Sequence, residues 1–336
     1  VTKQRNPEYA AAVALLEQAD ADRVAAGLKP FTPNERKLAI TYYVEGTKFK
    51  PGKEPPPVAK KKATPQPETP YRIHRGNCQG IFPNYGTNGH EFVDLAIIDP
   101  PYNIGYEYDR HKDDMTAEEY RFWCNQWIGD CARALKPDGA MWLIIGDEWA
   151  ADLQIIARSR GLHLRNWVIW HYTFGQHMKT KFTRSHAHCL HFVKNPKKHV
   201  FNFSDVAVPS ARTLVYGDKR AAKEGRCPDD VWILRPQWFP EGFTAQHDTW
   251  FIPRLCGTFK EKAKTPNQLP EQLVARMIAV SSNPGDVVLD PMCGSGTVPA
   301  VAKKLGRKPM GFELSADYAK AAQKRLDAVK EGDAIS

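Results

Sequence analysis

The chain has 336 residues, 42% hydrophobic and 25% charged, with 47 Lys and Arg against 38 Asp and Glu for a formal net charge of +9. This composition suits a globular protein with one large core or two modest ones. It excludes a membrane-spanning chain, since no apolar run approaches the roughly 20 residues that a span needs.

Seven cysteines, odd in number and with no C-x-x-C pair, argue against a disulfide framework and a structural zinc site, and for a reducing compartment. The first residues, VTKQRNPEYAAAVALLEQ, lack a signal-peptide core and cleavage pattern, so a cytoplasmic location is expected. Residues 7–28 read as an alanine-rich helix ending near Gly27. Thr32-x-x-Glu35 opens a second helix with a capping-box pattern, carrying Leu38, Ile40, Tyr42 and Tyr43. Residues 50–70, KPGKEPPPVAKKKATPQPETP, hold too little apolar content to fold and read as a Pro/Lys linker. Residues 1–49 are therefore a predicted helical appendage on a tether, its role open between oligomer contact, DNA contact and a dock for another protein.

From Tyr71 onward strand and helix patterns alternate, which predicts a parallel α/β sheet. Strand 93–98 leads to a helix over 116–135 with Tyr120, Trp123, Trp127, Cys131 and Leu135 on one side. Strand 140–145, a helix over 148–160 and strands 166–171 and 188–193 follow. Residues 195–262 lose periodicity and read as an inserted recognition region, with Trp232, Trp238 and Trp250 as its core or, in the alternative, as contacts to its ligand. Regular α/β returns with helix 269–283, strand 286–290, helix 298–305, strand 308–313 and helix 315–329.

The apolar run Leu95–Ile98 ends in Asp99, Pro100, Pro101 and Tyr102. Proline has no N–H, so the ladder stops there and a stiff turn presents the Asp99 carboxylate, the Pro100 carbonyl and the Tyr102 ring. In an open α/β sheet the C-terminal edge of the strands is where ligands bind. The turn offers two hydrogen-bond acceptors and a flat aromatic face, without an obvious nucleophile.

A second constellation, GDVVLDPMCGSGTVPAVAKKLG over 285–306, repeats the logic: a strand ends in Asp290, a glycine turn follows, and a helix opens at about Val298. Gly294 and Gly296 let the backbone approach a ligand closely. The third glycine of the dinucleotide fingerprint is missing, which disfavours a nicotinamide cofactor. Strand 308–313 then ends in Glu313, an acid placed to grip two ribose hydroxyls.

Between His171 and His199 there are six Lys or Arg, six His and no Asp or Glu, a stretch suited to facing phosphate. Strand alternation puts His191 on the opposite face from His186 and His188, which disfavours a shared metal site.

Together these stretches resemble the amino-group DNA methyltransferases that use S-adenosyl-L-methionine. Asp99-Pro100-Pro101-Tyr102 resembles that family's catalytic motif, and Asp290–Thr297 (DPMCGSGT) resembles its cofactor loop. The catalytic string precedes the cofactor loop, an order similar to the permuted β class, in which a target recognition region lies between the two; residues 195–262 fill that slot. Secondary matches extend the resemblance over 71–329. IHRGNCQGIF resembles the adenine-holding segment, with Asn77 where aspartate is usual. FTRSHAHCLHFVK resembles a segment lining the base pocket, with Ala187 replacing a common glutamate. KTPNQLPEQLVARMI resembles the methionine-contacting segment, with Leu269 at a frequent lysine position, and Met292 stands where phenylalanine is usual.

The resemblance implies a Rossmann-like sheet with helices on both faces and methyl transfer to the N6 amino group of a flipped-out adenine. Its implied catalytic residues are Asp99, Pro100, Pro101 and Tyr102. Its implied cofactor set is Asn77, Cys78, Asp99, Thr265, Gln268, Asp290, Met292, Cys293, Gly294, Ser295, Gly296, Thr297, Glu313 and Leu314. Lys179, Lys181 and Arg184, with Lys197 and Lys198 behind them, are the expected phosphate contacts. The implied partner is duplex DNA, which would bring a cytoplasmic protein to the nucleoid; a homodimer and a paired restriction endonuclease are left open.

Rival readings remain. The cytosine N4 amino group presents the same chemistry, although Asp99 leans to adenine because cytosine-specific members more often carry serine there. RNA or protein-glutamine relatives usually reverse the motif order and prefer asparagine first. A non-catalytic DNA-binding subunit with the same fold is the alternative from another class.

Overall fold

A computed structural model describes residues 72–79, 91–172, 179–208, 217–220, 225–232 and 268–335, together with 210, 222, 243–244 and 249–250. The predicted appendage at 1–49, the linker at 50–70 and most of 195–262 lie outside the described residues.

The described strands are β1 (Ile73–Arg75), β2 (Val93–Ile98), β3 (Leu135–Ile145), β4 (His163–His171), β5 (His186–Val193), β6 (Val231–Trp232), β7 (Phe243–Thr244), β8 (Thr249–Trp250), β9 (Val287–Asp290) and β10 (Lys308–Glu313). The helices are α1 (Ala117–Ala134), α2 (Ala150–Ser159), α3 (Phe203–Val206), α4 (Glu271–Ser281), α5 (Thr297–Lys304) and α6 (Ala316–Ala328). Eight strands form one sheet in the order β1-β10-β9-β2-β3-β5-β4-β6, and β7 pairs with β8 separately. All neighbours in the large sheet run parallel except β5, which is antiparallel to both β3 and β4. The strand carrying Asp290 therefore lies beside the strand that leads to Asp99, although some 190 residues separate them in the chain.

Why β2 is central follows from its sequence. Val93, Ala96 and Ile98 face one core with α1 and α2, while Leu95 and Ile97 face the other with α4 and α5. A strand buried on both faces needs an unbroken apolar run, and this one has it. α1 begins with a complete capping box: the Thr116 hydroxyl accepts from Glu119 N–H while Glu119 reaches back to Thr116 N–H. Two orphan amides are thereby satisfied, and Glu118 and Glu119 complement the helix dipole. Tyr120, Cys124, Trp127, Ile128 and Cys131 then recur at helical spacing and are fully buried. α6 packs on the α4–α5 side, where a Cβ on Gly296 (φ +74°) would lie 2.9 Å from Ala322 Cβ. Only glycine fits both that backbone and that approach.

Three boundaries differ from the sequence reading. β3 starts at Leu135, five residues before the predicted strand. Leu135 pairs with Val93 across a register shift, and Lys136 Nζ sits 2.8 Å from Asp94 Oδ1. The Lys136-Pro137-Asp138-Gly139 stretch, exposed at Pro137 and Asp138, has no apolar alternation to betray a strand. β4 likewise begins at His163, where it pairs with Val193. Two described parts of the predicted inserted region are built into the sheet domain. Asn202 donates to the Ala279 and Ser282 carbonyls at 3.0 and 2.8 Å, and β6 adds an eighth strand beside β4. Trp232 is buried against Trp142, with ring centroids 5.8 Å apart.

Candidate active site

The C-terminal ends of β1, β10, β9, β2 and β3 and the N-terminal end of β5 meet at one edge of the sheet, around a cavity of about 920 Å³. Asn77, Cys78, Asp99, Pro100, Pro101, Tyr102, Gln268, Asp290, Met292, Cys293, Gly294, Ser295, Thr297, Glu313 and Leu314 line it, with Lys181 and Arg184. Thr265 lies outside the described residues. Gly296 is placed behind the wall, against α6.

At the end of β2, Tyr102 Oη donates to Asp99 Oδ1 at 3.0 Å. Tyr120 Oη donates to the Pro101 carbonyl at 2.6 Å and pins the turn from α1. The next segment is drawn together by Asp113, which is 3% exposed and accepts the amides of Asn103, Ile104 and Tyr106 at 2.8, 3.1 and 3.0 Å. Asn103 adopts φ 54°, and its side chain exchanges two hydrogen bonds with the Met115 backbone, at 2.8 and 2.7 Å. The left-handed residue is held by its own amide group, a role that suits asparagine.

Glu313 is more occupied than the sequence suggested. Its two carboxylate oxygens accept the amides of Gly294 and Ser315 at 2.9 and 2.8 Å, so it shapes the glycine turn as well as facing the cavity. A carboxylate has about four lone-pair sites, which leaves room for a ligand's hydroxyls. Asp290 Oδ1 accepts Met292 N–H at 3.1 Å. Behind the turn, Thr297 Oγ1 sits 3.0 Å from Ser295 Oγ and accepts from Arg325 at 2.9 Å, and Arg325 is held by buried Glu271.

Electrostatics single out three acids. Burial pushes the Asp99 carboxyl up to about 7, against the opposing hydrogen bond from Tyr102. Burial pushes Asp290 well above the ordinary carboxylate range; the Met292 amide opposes this, and the Asp99 and Glu313 charges add to it. Glu313 is raised by burial and partly restored by the Ser315 and Gly294 amides. An opposite charge placed among these three carboxylates would favour their ionised forms. The cysteines here are poor nucleophiles: burial lifts Cys78 to about 12 and Cys293 well above its usual value.

The basic residues divide. Lys181 and Arg184 line the cavity and Lys179 is exposed nearby in sequence, but the Arg184 guanidinium is paired with Asp147 and Glu148 at 2.7 and 3.0 Å. Lys197 and Lys198 follow the C-terminal end of β5. Because β5 runs antiparallel, that end lies at the opposite edge of the sheet from Asp99. They do not join the others at the cavity. His186 and His188 share a face with rings 5.0 Å apart, while His191 stacks on Trp142 at 4.3 Å within the other core. Sequence reading missed Asp113, Tyr120 and the acids that hold Arg184. It also missed Trp170, Tyr172 and Tyr108, which add aromatic walls to the cavity.

A mixed, doubly wound sheet with a proline-stopped strand beside an acid-ended strand is the Rossmann-like architecture of the amino-group methyltransferases. Residues 93–324 match the DNA methylase family, and the chain belongs to it. It is 33% identical over 241 residues to the type II methyltransferase M.HpaI of Haemophilus parainfluenzae, covering 71% of this chain and 70% of that one. It is also 33% identical over 241 residues to the DNA adenine methyltransferase YhdJ of Escherichia coli (strain K12), covering 70% and 77%. Among solved structures, the M1.HpyAVI–SAM complex superposes with a TM-score of 0.52 at 22% identity, covering 76% of this chain and 98% of that one. PvuII DNA methyltransferase (cytosine-N4-specific) gives 0.55 at 15% identity, covering 76% and 85%. At those identities the two structures speak for the fold.

Proposed function

We propose that the protein moves a methyl group from S-adenosylmethionine to the N6 amino group of adenine in DNA, with the base turned out of the duplex. The observation that carries this is the Asp99–Tyr102 turn opening into the same cavity as Asp290, the 292–295 turn and Glu313. The cavity's chemistry fits the cofactor: three raised carboxylates suit its sulfonium and ammonium charges, and Glu313 suits a ribose diol. In this reading Asn77 faces the cofactor's adenine, and Asp290, Met292–Ser295, Thr297 and Gln268 face its methionine end. Thr265, on the same stretch as Gln268, completes that set.

An exocyclic amino nitrogen is a poor nucleophile because its lone pair is delocalised into the ring. The Asp99 carboxylate and the Pro100 carbonyl accept its two hydrogens, which favours a pyramidal nitrogen with an available lone pair. Tyr102 offers a face for the base, and stacking of this kind is worth roughly 1–3 kcal/mol. Bound S-adenosylmethionine supplies the methyl group on a sulfonium. The chain supplies no nucleophile; it contributes proximity and preorganised acceptors. A base within a duplex cannot reach a cavity at a sheet edge, so it is flipped out first.

Lys179, Lys181 and Arg184 are the proposed phosphate contacts, with Arg184 exchanging its acidic partners for DNA. The proposal extends to a cognate restriction endonuclease as partner, to association with the nucleoid through DNA, and to the sheet domain at 71–329 with recognition elements within 195–262. Self-association into a homodimer is read from mass in solution.

Transfer of a labelled methyl group from S-adenosylmethionine to unmethylated DNA tests the reading. Label in DNA with the intact protein and none with Asp99→Ala is the expected result. Equal label from both proteins, or from neither, contradicts it.

A further inference from the structure

Phe182 is 100% exposed, the extreme among the described large hydrophobic side chains. It sits in Lys181-Phe182-Thr183-Arg184, the run that leads into β5 at the cavity edge of the sheet. Its neighbours Lys181 and Arg184 line the cavity that holds Asp99, and Lys179 is exposed just before them. A bare aromatic ring loses the whole benefit of burial unless something covers it. Its setting names the cover: cations on either side attract a polyanion, and an aromatic ring has the thickness and faces of a base.

We propose that Phe182 is a wedge that enters the DNA base stack where the target base leaves it. The inference rests on the proposed action upon a flipped-out base. Apolar wedges, phenylalanine among them, are a recurrent means of holding an unstacked duplex step. Extruding a base costs unpairing and unstacking and leaves a gap lined by two base faces. Phe182 fills that gap while Lys179 and Lys181 meet the flanking phosphates, so stacking on the ring offsets the stacking lost. Tyr102 and Phe182 then divide the labour: one ring receives the base and the other replaces it. Phe182 touches neither the reacting amino group nor the cofactor cradle, so it is a positioning residue.

The test compares the intact protein with Phe182→Ala and Phe182→Trp. Three substrates are used: a matched duplex, the same duplex with the target adenine mispaired, and the single strand. On the matched duplex Phe182→Ala loses about 10–100-fold in kcat/KM, the scale of a stacking contribution converted at tenfold per 1.4 kcal/mol. On the mispaired duplex and the single strand the loss shrinks to about threefold or less, because the extrusion cost is already reduced. Phe182→Trp keeps most of the activity, and S-adenosylmethionine affinity is unchanged in both variants. With 2-aminopurine at the target position, the fluorescence rise on duplex binding falls in Phe182→Ala and returns in Phe182→Trp. An equal loss on all three substrates, or no loss on the matched duplex, overturns the wedge. If the intact protein methylates no DNA, the functional reading fails as well, a result distinct from an active enzyme indifferent to residue 182.

Discussion

Tyr102 Oη donates a hydrogen bond to Asp99 Oδ1 at 3.0 Å across a turn of two prolines. The Tyr102 ring and the Asp99 carboxylate are thus mechanically and electrically joined. Burial raises Asp99 to about 7, and the tyrosine opposes that rise by favouring the charged form. Burial also lifts Tyr102 far above its usual value, so it stays a neutral donor. The carboxylate proposed to accept amino hydrogens is therefore held near 7 by its burial.

Removing the donor has a signed consequence. Tyr102→Phe loses the bond that stabilises ionised Asp99, so the carboxyl rises above about 7 and the acid limb of the rate profile moves to higher pH. Activity is expected within a few-fold of the intact protein at pH 8.5. At pH 6.5 it falls further below the intact protein than at pH 8.5, because the higher carboxyl pKa leaves less Asp99 ionised there. Single-turnover rates across pH 6–9 on single-stranded DNA measure the limb directly. A limb that stays in place means the hydrogen bond has no electrostatic role.

Asp99→Asn separates stability from activity. The folded carboxyl, at about 7, lies above its unfolded value near 3.8, so the folded protein binds the proton more tightly. Its ionisation costs nothing below pH 4, costs progressively more as pH rises to 7, and the cost stays constant above. Asn removes that cost: the expected gain in Tm is a few degrees at pH 8 and none at pH 4, while methyl transfer falls by about a thousandfold or more. Thermal unfolding at the two pH values decides it, and a gain at pH 4 would assign the effect to packing.

Cofactor binding is linked to protons. Asp290 and Glu313 are both raised, and a bound cation lowers both, so binding releases protons and strengthens as pH rises. Calorimetry in buffers of different ionisation enthalpy reads the protons released. Glu313→Gln weakens binding by about 10–100-fold, because it removes a charge-assisted acceptor from the Gly294 and Ser315 amides as well as from the ligand. Asp99→Ala leaves affinity within a few-fold; loss of both binding and transfer would move Asp99 into the cofactor cradle.

Asp113 gathers three amides of the segment after the catalytic turn. Bonds to a charged acceptor contribute about 1.5–3 kcal/mol each, so Asp113→Ala loosens residues 103–106 more than the sheet. Hydrogen exchange should rise there by at least about tenfold, with kcat reduced and S-adenosylmethionine affinity largely kept. Unchanged exchange at those amides would remove Asp113 from the support of the turn.

The strand ends were the most legible part of the site. Asp99 and Asp290 each close an apolar run before a proline or glycine turn, Glu313 closes the next strand before a helix start, and parallel strands bring such ends to one edge. Direction was what the pattern hid. The run at 186–193 reads the same in either sense, and only its antiparallel pairing sends Lys197 and Lys198 to the far edge while keeping Lys181 and Arg184 at the cavity. Asp113 was invisible because its partners are backbone amides, which carry no sequence signal. The pairing of Arg184 with Asp147 and Glu148 was hidden for another reason: those acids come from the loop after β3, outside the all-basic stretch. The polar KPDG stretch concealed the start of β3, and β6 is too short at two residues for any period to register.

Adenine methylation through the Asp99 turn is put to the proof by nucleoside mass spectrometry of unmethylated DNA after incubation with the protein and S-adenosylmethionine, with Asp99→Ala alongside. N6-methyladenine from the intact protein and no methylated base from the variant is the expected result. N4-methylcytosine would keep the chemistry of the Asp99 turn and contradict the adenine target. No methylated base on duplex or single-stranded DNA would contradict the methyl transfer itself and leave the fold to a non-catalytic DNA-binding subunit.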